Sequence, residues 1–219
     1  MMAPRFLSTV IPLTLIIFIS CAGQNSNVFT PVPDFTIYEL DDFPIDNIGS
    51  IIDSRNMPEW LRAYIYGGNE FVEELDNYKN KYAFVAVNRG INLAQLNKWA
   101  ENISARFDFP ALAAERIEKR MVSSATLYPD DEYGLFFETM IKNAYNSEYP
   151  GVEKEDSHWI RVRAESEENY MYFVLMIIDR TAMQSIIRNM FARSGARINY
   201  SGNQANAVNR LRQTFFEGF

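Results

Sequence analysis

One histidine and one cysteine in 219 residues remove most of the usual catalytic vocabulary. A lone cysteine, Cys21, excludes an internal disulfide. A lone histidine, His158, with no Gly-x-Ser-x-Gly elbow, leaves no serine triad to assemble by a recognisable motif. One histidine and scattered carboxylates fall short of the dense ligand spacing of zinc sites, so His158 reads as a structural residue in a strand. The ten glycines form no Gly-x-Gly-x-x-Gly and no phosphate loop, and Gly67–Gly68 reads as a turn. Basic charge is also scarce. Twenty-one Lys/Arg stand against 28 Asp/Glu, a net charge of −7, and nucleic-acid binding needs the opposite balance.

The chain is nevertheless rich in core-forming residues. It is 47% hydrophobic, with 16 Phe, 12 Tyr and three Trp, enough to bury a substantial core. Its charge is unevenly placed. Residues 22–179 carry 14 Lys/Arg and 27 Asp/Glu, a balance of −13. Residues 180–219 carry six arginines and one glutamate, a balance of +5.

At the N-terminus Arg5 precedes an apolar run, Phe6–Ile19, and the small Ser20 stands directly before Cys21. Charged start, apolar segment, small residue and cut site form the order of a secretory signal. The run is shorter than the roughly 20 residues of a membrane-spanning helix. After Cys21 comes AGQNSNVFTPVPD, a polar stretch suited to a tether. The residues Phe18-Ile19-Ser20-Cys21 resemble a bacterial lipobox, with Phe18 in place of the preferred leucine. The resemblance implies a diacylglycerol on Cys21, which becomes the mature N-terminus, and a thiol consumed in a thioether. Acylation by two or more chains anchors stably where one chain does not. The expected organisation is a signal peptide over 1–20, a flexible tether over 21–34 and one α+β domain over 35–219. The expected location is the cell envelope. Ala22 after the cysteine points to the outer membrane rather than the inner.

Within the domain, FTIYEL at 35–40 reads as a short edge strand. Pro58 sits in the first turn of a helix that Gly67–Gly68 ends, and EFVEELDNY starts another. YAFVAVNRG, 82–90, reads as a strand buried on both faces. Asn92 and Gln95 form a capping-box-like start, followed by an apolar stripe of Leu93, Leu96, Ala100, Ile103 and Phe107. Pro110 interrupts it, and ALAAERIEKRM continues as a kinked or new helix. Phe136, Phe137, Met140, Ile141, Ala144 and Tyr145 mark another helix, with Asp130 or Asp131 as its cap. HWIRVRA alternates, with Ile160 and Val162 on one side and Trp159, Arg161 and Arg163 on the other. YMYFVLMIID, 170–179, reads as a central strand paired with it. Asp179 or Thr181 caps a helix stopped by Ser194–Gly195, and a last helix covers about 204–216. The expected fold is α+β, a small mixed or antiparallel sheet with helices packed on one side.

Three segments carry a wider resemblance: MPEWL, the strand-to-helix stretch from Tyr82 to Ile117 with its Ala105–Arg106 pair, and the hairpin 158–180. Together, over residues 57–190, they resemble the twenty-kilodalton outer-membrane lipoprotein family and the related N-terminal module of a flagellar assembly protein. The extra run 132–149 and the arginine-rich tail depart from that pattern. The resemblance implies an envelope-exposed domain without known catalysis, with a homodimer as one assembly, and transfers no active-site residue.

Several chemical readings stay open. The arginines Arg188, Arg193, Arg197, Arg210 and Arg212 suit carboxylate or phosphate, and would meet an anionic lipid, peptidoglycan, an acidic partner or the protein's own acidic body. Trp60, Trp99 and Trp159 line either a groove or the core. PDDEYG, 129–134, lacks the alternating ligands of a calcium loop and reads as a helix start. No catalytic residue, metal or cofactor is expected. The function expected is that of a membrane-anchored envelope lipoprotein whose domain binds protein or cell wall. The alternatives are an envelope hydrolase using carboxylates such as Asp131, Glu132 or Glu138, and a periplasmic carrier of an apolar ligand.

Overall fold

A computed structural model describes residues 50–53, 56–128, 131, 133, 135–164, 167–196 and 202–219. The segment around Cys21, the tether, the strand expected at 35–40, Arg197, Asp130 and Glu132 lie outside these residues. The fold is α+β. Four strands form an antiparallel sheet in the order β1-β3-β4-β2. They are β1 (Ser50–Asp53), β2 (Lys81–Gly90), β3 (Glu153–Ala164) and β4 (Glu167–Asp179). β4 is central, as its apolar run predicts, and pairs with β2 from Lys81↔Asp179 to Gly90↔Tyr170.

Among the described residues six helices accompany the sheet: α1 (Glu59–Glu74), α2 (Leu93–Asn102), α3 (Phe109–Ala125), α4 (Leu135–Tyr145), α5 (Arg180–Ala196) and α6 (Gly202–Glu217). Pro58 is the N-cap of α1, and the helix breaks at Gly67 and Gly68, where Gly68 takes φ +76°. The two short helices read from the sequence are the two halves of this broken element. Asn92 caps α2 by accepting the Gln95 N–H at 3.2 Å. Asp179 caps α5 by accepting from the Thr181 and Ala182 N–H groups. The stripe expected to run to Phe107 stops early. α2 ends at Asn102, Ala105 and Arg106 lie in the turn that follows, and Phe107 is exposed. The Asp108 carboxylate accepts the Ser104 N–H at 2.7 Å and closes that turn, so Pro110 begins a separate α3.

Strand alternation divides the apolar residues between two layers. Tyr82, Phe84, Val174, Met176 and Ile178 face helices α2 to α6 in the larger core. Phe136, Phe191, Phe215, Phe216 and Phe219 form its aromatic end, with Phe191 and Phe215 rings 5.3 Å apart. Ala83, Val85, Ile160, Val162, Phe173 and Leu175 face the opposite way and meet Trp60, Leu61, Ile65 and Val72 of α1. Among the described residues, five helices thus gather on one face and α1 covers part of the other. Burying a side chain such as Leu61 or Ile65 contributes about 1.5–3 kcal/mol.

Sheet edges present unpaired backbone groups and need protection. β2 is an edge strand although both of its faces are buried at Tyr82–Val85. Glu73 on α1 accepts the outward Ala83 N–H at 3.0 Å. Arg116 on α3 donates to the Ala83 carbonyl, and Arg180 donates to the Lys81 carbonyl. The three side chains also pair with one another, Arg116 to Glu73 at 2.5 Å and Arg180 to Glu73 at 3.3 Å. At the other edge β1 reaches only Arg161–Arg163 of β3. Beyond it β3 carries Glu153, Lys154, Glu155 and Asp156 with a register shift, charge and irregularity that discourage pairing.

Candidate functional site

Because Ile160 and Val162 of β3 point into the α1 core, Trp159, Arg161 and Arg163 project from the other face. The β3–β4 register sets Trp159 opposite Tyr172, Arg161 opposite Tyr170 and Arg163 opposite Glu168. This end of the sheet stays open to solvent. Trp159 is 38% exposed, and the side chains of Arg161 and Arg163 are 40% and 54% exposed. The rings are fixed by neighbours rather than free. Trp159 packs edge-to-face on Tyr170 with centroids 5.5 Å apart. Tyr172 meets Trp99 of α2 in the same way at 6.5 Å, which makes α2 the border of the surface. Glu168 sits between the guanidiniums, at 2.5 Å from Arg163 and 3.7 Å from Arg161. The Arg163 hydrogen bond holds its carboxyl below the ordinary carboxylate range. The arrangement has donors and ring faces, with Asp53 of β1 in register opposite Arg161 and Glu168 against both guanidiniums, and among the described residues no nucleophile with a base.

The three tryptophans therefore separate. Trp60 is core, and its Nε1–H donates to Asp156 at 2.7 Å. Trp99 and Trp159 flank the open surface. The sequence showed which residues of β3 share a face. It did not show that the helices leave that face uncovered at this end.

Among the described residues the tail arginines do not converge. Arg210 makes a two-pronged pair with Asp131 and lies over the Tyr128 ring, 5.6 Å from its centroid. Asp131, expected as a helix cap or an acid, is thereby held by α6; the Phe136 N–H is taken by the Tyr133 carbonyl instead. Arg188 bonds Gln184 and lies over Phe216. Arg193 is exposed on α5, and Arg212 is exposed on α6, at a half-open cleft of roughly 200 Å³ with Phe191, Ala192 and Val208. Glu138 is exposed on α4.

His158 is half-buried in β3, where burial pushes its imidazole below the ordinary value and Asp156 opposes the shift. Tyr64 is pushed up to about 12, first by burial and then by Glu115 and Glu70. Burial likewise raises Tyr149, whose hydroxyl donates to the Ala144 carbonyl. Among the described residues no three His, Cys, Asp or Glu side chains gather as a metal-holding group. No helix among them is long and apolar enough to cross a membrane. The buried Glu73 has the look of a functional acid, yet its two oxygens are occupied by Arg116, Arg180 and the Ala83 N–H. No family model matches the chain, and neither does any curated protein or solved structure.

Proposed function

We propose that this chain is a lipid-anchored envelope protein whose α+β domain works by binding rather than by catalysis. The anchor reading rests on the apolar run that ends at Ser20–Cys21 and on the polar stretch behind it. The binding role rests on one observation: the sheet surface of Trp159, Tyr170, Arg161 and Arg163 is partly exposed, with its rings in contact and its guanidiniums paired to Glu168. Evenly buried sheet faces need no such residues, whereas half-exposed aromatic and arginine side chains are the anchors of recognition surfaces. A hydrolase reading gains nothing from Asp131, which Arg210 engages.

Metabolic labelling of cells with a fatty-acid probe tests the anchor. The expected result is label on the parent chain and none on Cys21→Ala. Label that persists in the variant sinks the lipidation claim.

A further inference from the structure

Helices α5 and α6 carry cations that no described carboxylate pairs. Their charged side chains are Arg180, Arg188 and Arg193 on α5, and Arg210, Arg212 and Glu217 on α6. Among the described residues the ion pairs of these helices are Arg180 with Glu73 and Arg210 with Asp131. Glu217 meets Gln213 at 3.3 Å, and Arg188 meets the neutral Gln184 at 3.5 Å. Three arginines thus stand against one glutamate. The neighbouring helices do not reverse this balance. On α4, joined to α5 by the Asn143–Ser194 hydrogen bond, Glu138 and Lys142 cancel. On α3, Arg120 reaches the Thr214 and Phe215 carbonyls of α6, and Glu115 pairs with Lys119. Glu118 lies about 200° round the helix from Arg120, on the far side of α3.

Two of the three arginines border one groove. At 3.6 residues per turn, Arg188, Phe191 and Gly195 share a stripe of α5, and Ala205, Val208, Arg212 and Phe216 share one of α6. The stripes face each other. Phe191 packs on Phe216 with ring centroids 5.6 Å apart, and the Arg188 guanidinium lies 5.4 Å from the Phe216 ring. Between them opens the cleft of roughly 200 Å³, with Phe191 and Val208 as its apolar floor and Arg212 at its rim. The gap exists because Gly195 and Ala205 put little volume into it; a Cβ added at Gly195 would meet no atom within 4 Å. Small-molecule pockets span about 300–1,000 Å³, so this cleft suits one large side chain rather than a free ligand. Phe216 stands one turn from Arg212, so the two guanidiniums follow each other along the groove by about one helical turn.

We infer that this cleft docks an acidic helix of a partner protein, which inserts one large apolar side chain between α5 and α6 and sets carboxylates one turn away against Arg188 and Arg212. The apolar floor selects the anchor, and the unpaired guanidiniums select the sign of the partner. A groove between two helices, with its cations a turn apart, matches a helix laid along it. The inference stands independently of the lipid anchor and of the β3–β4 surface.

The test uses the full chain in detergent and three fluorescein-labelled, alanine-rich helical peptides. One carries glutamates a turn either side of a central phenylalanine, the second has alanine in place of that phenylalanine, and the third has lysines in place of the glutamates. Binding is read by fluorescence polarisation, with protein-free detergent as the blank. The first peptide is expected to bind, the second about tenfold more weakly, and the third not at all. Gly195→Leu fills the cleft without a clash and should reduce the first peptide to the level of the second. Arg188→Gln and Arg212→Gln keep the cleft and should each weaken the first peptide by roughly threefold, a difference that added salt erases. They decide the matter alone if Gly195→Leu does not fold. Equal binding of the lysine peptide, no effect of any variant, or failure of the first peptide to bind overturns the inference. Self-association that Gly195→Leu abolishes overturns it in favour of a contact between copies. Sedimentation with phosphatidylglycerol vesicles that Arg212→Gln abolishes, with no peptide bound, overturns it in favour of a membrane surface.

Discussion

Replacing Glu73 by alanine gives the sharpest test of how the sheet edge is held. The Glu73 side chain is 7% exposed, and that of its partner Arg116 is 14% exposed. Removing the carboxylate leaves Arg116 with only the exposed Glu70, at 3.8 Å, as a counter-charge, a loss that approaches the about 3–5 kcal/mol of an unpaired buried charge. It also strips the acceptor from the Ala83 N–H, which by itself costs about 1–3 kcal/mol. The two losses share one group and do not add. Arg180, at 36% exposure, turns to water and contributes little. The expected total is therefore about 3–5 kcal/mol. With an m-value of about 2 kcal/mol per molar urea, the midpoint falls by roughly 1.5–2.5 M at unchanged m. Urea unfolding followed by tryptophan fluorescence reads this directly. Glu73→Gln keeps an acceptor for Ala83 and should lose less. Glu73→Met with Arg116→Met removes both charges and should recover most of the loss. A midpoint for Glu73→Ala within about 0.5 M of the parent would refute the reasoning.

The remaining expectations are simpler. His158 has a folded-state pKa below its unfolded value, so the native state binds fewer protons, and stability falls as pH drops through about 6.5. Melting temperatures at pH 7.5 and 5.5 should differ more for the parent than for His158→Gln, and equal slopes would remove His158 from the account. Gly68 takes φ +76° and ψ −161°, a region closed to L side chains, so Gly68→Ala should cost about 1–3 kcal/mol. Gly67→Ala drives a Cβ into the Phe71 ring, which must leave its edge-to-face contact with Tyr66, so it too should lower the melting temperature in the same thermal assay.

The parts of the fold legible in the sequence were those set by neighbours along the chain. β-branched and aromatic runs marked β2 and β4, Asn92 and Asp179 marked helix starts, and Gly67–Gly68 marked the break in α1. The first half of β3 was not legible, because Glu153–Ser157 is charged and polar with no apolar alternation, and it becomes strand by pairing with β4. The edge cluster was equally hidden, since nothing local links Glu73 to Arg116 or Arg180. The Asp131–Arg210 pair, 79 residues apart, hid the fate of the acidic loop in the same way. The candidate surface was half legible: alternation placed Trp159, Arg161 and Arg163 together, but exposure depends on where five helices end.

The long sequence separations at the β2 edge also bear on how the chain reaches its fold. Glu73 lies 43 residues from Arg116 and 107 from Arg180, so closing those loops costs entropy before any pairing repays it. During folding, β2 and β4 can zip together before α1, α3 and α5 have all docked. In that interval Lys81 and Ala83 offer their backbone to any other nascent chain. Refolding yield should therefore fall as protein concentration rises, even where the finished domain is soluble and stable. If the chain is exported, as proposed above, it would meet that hazard after export.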